Sequence, residues 1–451
     1  MKPRLSLVLA AFLALAAPGA RSQEGDQITF AAGGDMIGPY HAFPGPEDSG
    51  FAEVAGLLRG ADVAYANQEG SVFDLAAFPG WPAAENGGGY PLQPPAAAQG
   101  MKAMGLGLVS KANNHATDYG QEGLLQTLAS LKAAGLVWAG AGRSLAEARA
   151  PAYLTTAKGL VALVSTASTF PPMAAAGAPV ERRGQVTQPR PGISVLHVRE
   201  VRLASPSEIA RLRSLVDDGN SPPGEARIGD QVFRASATPG GSVWEMQPED
   251  QAAVIGAVRE ARAKARLVVF AIHAHETAGH DDNLAPAPYE PMVLHKANEA
   301  PSPDDPRPAA FEPALFHAAI DAGADVVVRT GPHTLNGIEI YKGRPIFYGL
   351  GSLFYDFGGR RSYTAPSGAV MTFPDAWFET VIPVVTWRGG RLAGIRLHPM
   401  VISSGDPATS GVPHPAPPDQ ARQILERLQA MSAPFGTRIE IRDGVGVIAE
   451  T

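Results

Sequence analysis

Apolar positions along the chain follow two rhythms. Short apolar runs end abruptly in polar or Gly-rich residues: "QITFAAGGDMIG" (27–38), "ADVAYANQEGSVFD" (61–74) and "GLGLVSKANNH" (105–115). Each reads as a buried strand followed by a turn. Between and after them lie helical patterns. In "QEGLLQTLASLKAAG" (121–135), Leu124, Leu128 and Leu131 mark one face and Gly135 supplies a stop. "LVWAGAG" (136–142) and "LVALVSTAS" (160–168) add strands. The first half thus alternates strand and helix, which predicts a layered α/β sandwich.

The rhythm breaks from about 171 to 246, where Pro, Gly, Ser and Arg are frequent and strand signals mix with turns. This stretch reads as an insertion or lid on the sheet core, not as an independent domain. The alternation then resumes. A helix is predicted over 247–265, a buried strand over "RLVVFAIHAHE" (266–276), a helix over 311–322 and a strand over "ADVVVRTGPH" (324–333). A Pro- and Asp-rich loop separates the first of these strands from the second helix. The stretch 337–357 reads as a hairpin turning at Tyr341-Lys342-Gly343. A strand pair near 377–397, a Pro-rich linker (407–418) and a final helix complete the chain. The expected organisation is a main domain over 27–400 and a tail over 401–451 that packs on it.

Composition narrows the function classes. The chain has 451 residues, 45% of them hydrophobic, enough for a core of one large domain or two ordinary ones. A net charge of -7 without a long basic block argues against nucleic acid as a partner. The first 22 residues carry Lys2 and Arg4, an apolar run from Leu5 to about Ala17, and small residues at Ala20 and Ser22. That is the pattern of a cleaved export signal, and it predicts a secreted or periplasmic protein. With no Cys in the chain there is no disulfide and no thiolate ligand. Any metal must be held by His, Asp, Glu or Asn, which suits hard or borderline ions. No GxxxxGK[ST] phosphate loop and no G-x-S-x-G elbow occur, so nucleotide-driven and covalent serine routes lack support.

In α/β sheets, binding groups collect beyond the carboxyl ends of strands. Five predicted strands here end in metal ligands or proton donors: Asp35, Asn67 with Glu69, Asn114 with His115, His273 with His275, and His333. A lone Asp or His at such a position is usually structural, and the argument rests on recurrence. His273 and His275 are two apart, so both point to one face if the strand persists. His280, Asp281 and Asp282 read as solvated loop residues, and His197, His295, His317, His398 and His414 as structural. Asn113 is expected to shape its turn; Asp118 is placed either to orient His115 or to cap the next helix, with the cap preferred. The chemistry that suits Asp, Glu, Asn and His without Cys is hydrolysis assisted by one or two divalent ions. Mn, Fe, Zn and Mg are not distinguished by this donor set.

These motifs resemble the CapA (poly-gamma-glutamate, capsule synthesis) family, whose fold is like that of calcineurin-type metallophosphatases. "AAGGDMIG", "ANQEGSVFD", "KANNHATDYGQEGLLQTLASLKAAGL", "LVVFAIHAHE" and "GADVVVRTGPHTLNGIEIYKGRPIFYGLGSLFYDF" carry the likeness, which covers most of the chain. The resemblance implies an α/β/β/α sandwich. It implies metal ligands at Asp35, Glu69, Asn114, His273, His275 and His333, and a proton donor at His115. The sequence departs from the pattern in three places. Asp35-Met36-Ile37 stands for Asp-x-His, Arg329-Thr330 precedes "GPH" where another His is common, and "LGS" (350–352) stands for Leu-Gly-Asn. One metal position is then expected to be weak or empty, with Arg329 supplying positive charge in place of an ion. The resemblance further implies an anionic polymer or phosphoester as substrate and a membrane synthase as a possible partner. The competing expectations are a non-catalytic scaffold with a degenerate site and a generic periplasmic phosphoesterase.

Overall fold

The structure is a computed structural model, described here for residues 27–41, 43–45, 47–83, 91–215, 221–229, 231–276, 308–364 and 370–449. The segment read as an export signal, and His280, Asp281, Asp282 and His295, lie outside the described residues. In chain order the main elements are β1 (Gln27–Ile37), α1 (Ser49–Gly60), β2 (Val63–Gln68), α2 (Ala96–Ala103), β3 (Leu108–Ser110), α3 (Gly120–Ala133), β4 (Val137–Ala139), β5 (Ala152–Thr156) and β6 (Gly159–Ala167). They continue with α4 (Pro248–Lys264), β7 (Leu267–His273), α5 (Phe311–Ala322), β8 (Val326–Thr330), β9 (Ile338–Tyr341), β10 (Arg344–Phe347), β11 (Ser352–Tyr355), β12 (Glu379–Arg388), β13 (Arg391–Ile402), β14 (Pro413–Pro415), α6 (Pro418–Ser432), β15 (Glu440–Arg442) and β16 (Val445–Ala449).

Two sheets stack face to face. One runs β15-β16-β13-β12-β1-β2-β3-β4, with β11 paired to β1 and β14 to β13; the other runs β9-β10-β8-β7-β6-β5. The β1-β2-β3-β4 and β6-β7-β8-β10 stretches are parallel, so their carboxyl ends lie along common edges. Three apolar layers hold the stack together. Between the sheets lie Phe30, Val63, Tyr65, Leu108, Val269, Val328 and Phe347. On the outer face of the first sheet, Val54 and Leu58 of α1 and Leu124 and Leu131 of α3 meet Ala31, Ala64 and Val109. On the outer face of the second, Val258 of α4 and Phe316 of α5 meet Val268, Phe270 and Val327. The result is the α/β/β/α sandwich expected. Helix α6 closes one side, burying Ile424, Leu425 and Leu428 against the layer between the sheets.

Within 192–246, a separate four-stranded sheet runs in the order Glu225–Ile228, Gln231–Ala235, Val198–Ala204 and Ser242–Met246. Helix Pro206–Leu215 covers it through Ile209, which packs with Ala204 and Ala226. Two readings need correction. The predicted hairpin ends at Phe347: Ile338–Tyr341 and Arg344–Phe347 pair antiparallel, whereas Ser352–Tyr355 crosses to the other sheet and lies parallel to the end of β1. Continuous apolarity hides such a change of sheet. The Pro-rich linker also contains a strand, because Pro413–Pro415 pairs with Met400–Ile402.

β1 carries an irregularity that decides the site. Ala32 pairs with Tyr65 but Asp35 pairs with Asn67, so three residues of β1 span two of β2. One extra residue inverts the in/out alternation beyond it. Gly33 and Gly34 occupy this bulge. A Cβ on Gly34 would sit 1.7 Å from the Gly351 carbonyl oxygen, a backbone atom that cannot turn aside. Gly34→Ala is therefore expected to cost about 3 kcal/mol or more, the upper end for overpacking. The urea midpoint measures this, and a loss below about 1 kcal/mol on that scale would contradict the tight backbone approach.

Candidate metal centre

The alternation of side chains along strands gathers the polar residues. On β2, Val63 and Tyr65 face the other sheet, so Asn67 does too. On β3, Leu108 faces inward and Ser110 follows; on β7, Val269 and Ala271 lead to His273; on β8, Val326 and Val328 lead to Thr330. On β1, Phe30 and Ala32 face inward, and the bulge brings Asp35, not Gly34, into the same phase. All these polar ends meet between the sheets at one end of the sandwich.

Asp35 is the hub and is fully buried. Its Oδ1 accepts from Asn67 Nδ2 at 2.7 Å and its Oδ2 from the Gly331 amide at 3.0 Å. His333 Nδ1 lies 3.2 Å from Oδ2 and His273 Nδ1 3.7 Å from Oδ1. Glu69, also fully buried, accepts weakly from Asn67 Nδ2 through Oε2 at 3.5 Å. Among the described residues its Oε1 has no hydrogen-bond partner. That oxygen faces His273 Nε2 at 3.9 Å and His115 Nε2 at 4.0 Å. Ligand atoms of Asp35, Glu69 and His333 all lie within 4.8 Å of one another. Beside them, His273 Nε2 is 3.0 Å from Asn114 Oδ1 and 3.1 Å from His275 Nε2. The structure therefore brings together all the residues anticipated as ligands, as two adjoining groups with Glu69 between them.

The electrostatics fit a cation. Burial pushes the Glu69 carboxyl well above its usual range, and the Asp35 charge adds to this. Burial would also raise Asp35, but its interactions with the His273 and His333 imidazoles outweigh it and hold the carboxyl well below its usual range. Burial lowers His273, and lowers His275 strongly, with the neighbouring imidazoles contributing to the latter. Neutral imidazole is the ligating form. Buried ring nitrogens at 3.1 Å, an orphan carboxylate oxygen and an orphan His275 Nδ1 are costly alone. A divalent ion would satisfy the facing nitrogens and the carboxylate oxygen.

His333 has φ of 56°, in the left-handed region, at a cost of about 1–3 kcal/mol for a residue with a Cβ. Surrounding contacts hold it there. Its ring lies 5.3 Å from Tyr355 and 5.5 Å from Trp377, centroid to centroid, and Gly331 before it leaves room for the Ala274 carbonyl.

Orienting residues surround the ligands. Asn67 Oδ1 accepts from Ser110 Oγ at 2.8 Å and from Asn113 Nδ2 at 3.3 Å, which aims its amide nitrogen at the carboxylates. Asn113 also binds the Gln68 carbonyl, and Thr330 Oγ1 lies 3.0 Å from His273 Nδ1. Ser110 and Thr330 escaped the sequence reading, although both close an inward-facing alternation. Two further expectations are corrected. Asp118 does not cap α3, whose start has no side-chain cap; its Oδ2 lies 2.7 Å from His115 Nδ1. Arg329 does not stand in for an ion. It occupies the outward phase of β8 and pairs with Glu312 of α5 at 3.0 Å. Ile37, which stands where the pattern has its His, packs with Tyr355, Phe373 and Trp377 in an apolar cluster, and Met36 packs in the outer apolar layer. His197 and His317 serve structural pairs with Asp250 at 2.6 Å and Glu339 at 2.8 Å.

Comparison with known proteins gives a consistent picture. The profile of the family described as bacterial capsule synthesis protein PGA_cap matches residues 27–302 and 301–356. The chain is similar to protein y4uA of Sinorhizobium fredii (strain NBRC 101917 / NGR234), with 35% identity covering 94% of this chain and 93% of that protein. It shares 50% identity over 42 residues with the PGA biosynthesis protein CapA of Bacillus subtilis (strain 168), covering 9% of this chain and 11% of that protein. A probable polyglutamine synthesis accessory protein of Mycobacterium tuberculosis is 25% identical over 255 residues, covering 56% of this chain and 47% of that protein.

Proposed function

The chain belongs to the bacterial capsule synthesis family PGA_cap, and from that premise we propose that it is a metal-dependent hydrolase serving poly-gamma-glutamate or capsule polymer synthesis. The observation that carries this reading is the orphan Glu69 Oε1, buried between two groups of ligand atoms. Asp35, Glu69 and His333 would hold one ion, and His273, His275 and Asn114 a second that shares Glu69. When bound, such ions polarise the substrate oxygen and lower the pKa of water enough to make it a nucleophile near neutral pH.

The remaining residues serve proton transfer and orientation. Asp118 accepts from His115 Nδ1, which keeps that nitrogen protonated and leaves Nε2 as the exchanging atom. Nε2 faces the ligand groups and can hand a proton to a leaving oxygen. The substrate class is an anionic polymer or a phosphoester, and a membrane synthase is the proposed partner. We take the chain to act outside the cytoplasm, which its N-terminal run supports. Among the described residues no helix is long and apolar enough to cross a membrane.

A non-catalytic scaffold is the second reading. Ile37 packs among apolar residues where the pattern has a His, and Thr330 in place of a His precedes Gly331, which leaves two positions without imidazole and favours it. The test is turnover of a phosphodiester reporter and of poly-gamma-glutamate by the full chain with Mn²⁺, Fe²⁺, Zn²⁺ or Mg²⁺. Metal-dependent hydrolysis of either is expected; no turnover with any of the four would leave the scaffold reading.

A further inference from the structure

Among the described residues, Lys111 and Arg329 are the buried cationic side chains, each fully removed from solvent. Burying an ammonium or guanidinium is costly unless its donors are satisfied, and an apolar side chain often fills such a space with less penalty. Neither cation bonds a ligand side chain. Their donors go to backbone carbonyls in a shared pattern. Lys111 Nζ donates to the carbonyls of Gln68, at 3.3 Å, and Gly70, the residues on either side of Glu69. Arg329 donates through Nε to the Ala274 carbonyl at 3.2 Å and through a terminal nitrogen to the Glu276 carbonyl at 2.6 Å, the residues on either side of His275. Its other terminal nitrogen donates to the Tyr348 carbonyl at 3.1 Å.

Each cation also comes from the strand end that bears other ligands. Lys111 precedes Asn114 and His115, so its bond ties that loop to the loop of Glu69. Arg329 precedes His333, so its bonds tie the end of β8 to the end of β7. The strands end at His273 and Gln68, and one further backbone bond follows each, from the Ala274 amide to the Thr330 carbonyl at 2.9 Å and from the Glu69 amide to the Met36 carbonyl at 3.3 Å. The cations take over where the ladder ends.

From these contacts, and resting on the metal-site reading above, we infer that Lys111 and Arg329 are positioning residues that fix the backbone on both sides of Glu69 and His275. They set ligand geometry without touching the ion. Outer contacts of this kind typically contribute 10- to 100-fold in metal affinity.

The test is Mn²⁺ and Zn²⁺ titration calorimetry on the full chain, with thermal unfolding of the metal-free protein measured alongside. Lys111→Met and the charge-balanced pair Arg329→Met with Glu312→Gln are each expected to bind about 10- to 100-fold more weakly than wild type. Arg329→Lys, which keeps one cation but loses the fork, should fall between. Glu312→Gln alone should bind within about twofold of wild type, because the carbonyl contacts of Arg329 persist. If Lys111→Met does not fold, the Arg329 series carries the test. Unchanged affinity in the folded paired variant, whatever its thermal midpoint, overturns the inference and leaves the metal site standing. A wild type that binds neither ion overturns the metal-site reading itself, and the inference with it.

Discussion

Asp35→Asn is expected to lower divalent-ion affinity by more than about 100-fold, beyond the range for outer contacts because a ligand charge is removed. Turnover should be lost in parallel. The substitution keeps the shape of the side chain. Asn can still accept from the Gly331 amide, so the loop leading to His333 has a reason to stay in place. What disappears is the charge that Asn67, His273 and His333 converge on. Calorimetry with Mn²⁺ or Zn²⁺ measures the loss, with circular dichroism confirming that the variant is folded. Binding within threefold of wild type would remove Asp35 from the ligand set.

The second large effect is expected at His115. His115→Gln should reduce turnover by about 10²–10⁴-fold, the usual contribution of a general acid or base, while metal content stays at the wild-type level. The separation follows from geometry. His115 Nδ1 is taken up by Asp118 at 2.7 Å, which leaves Nε2, 4.0 Å from Glu69 Oε1, as the atom that exchanges a proton. Asp118→Asn should reproduce part of the loss, because an amide can donate to Nδ1 and favour the other tautomer. Paired measurements of kcat at saturating metal and of metal per chain decide. Equal kcat in His115→Gln and wild type would remove His115 from proton transfer. Loss of metal in His115→Gln would make it a ligand instead.

Much of this arrangement was legible in the chain. Polar residues closing apolar runs located the strand ends, and helix periodicity located α3, α4 and α5 nearly to the residue. What escaped depends on relations between strands. The two glycines at 33 and 34 signalled a turn, but only pairing with β2 reveals a bulge that rotates Asp35 inward. Arg329 looked like a site residue because it stands ahead of Gly331-Pro332-His333, where the resemblance has a further His. Strand alternation turns it to the opposite face, where Glu312 meets it. Counting alternation back from Val328 would have shown this. Asp118 was ambiguous because an Asp just before a helix satisfies either the helix or a neighbouring imidazole. The choice was made by His115 lying three residues back in a tight turn. Lys111 carried no signal, since a lysine between a strand and a loop is usually solvated. Its burial follows from the packing of two strand ends that sequence order does not place together.

The central claim is that the strand ends between the two sheets form a divalent-metal centre. Metal content of the full chain, purified without added ions or chelator, tests it most directly. At least about one equivalent of a divalent transition metal or magnesium per chain is expected, lost in Asp35→Asn. Protein that carries no metal, and that takes up none of Mn²⁺, Fe²⁺, Zn²⁺ or Mg²⁺ on titration, would contradict it.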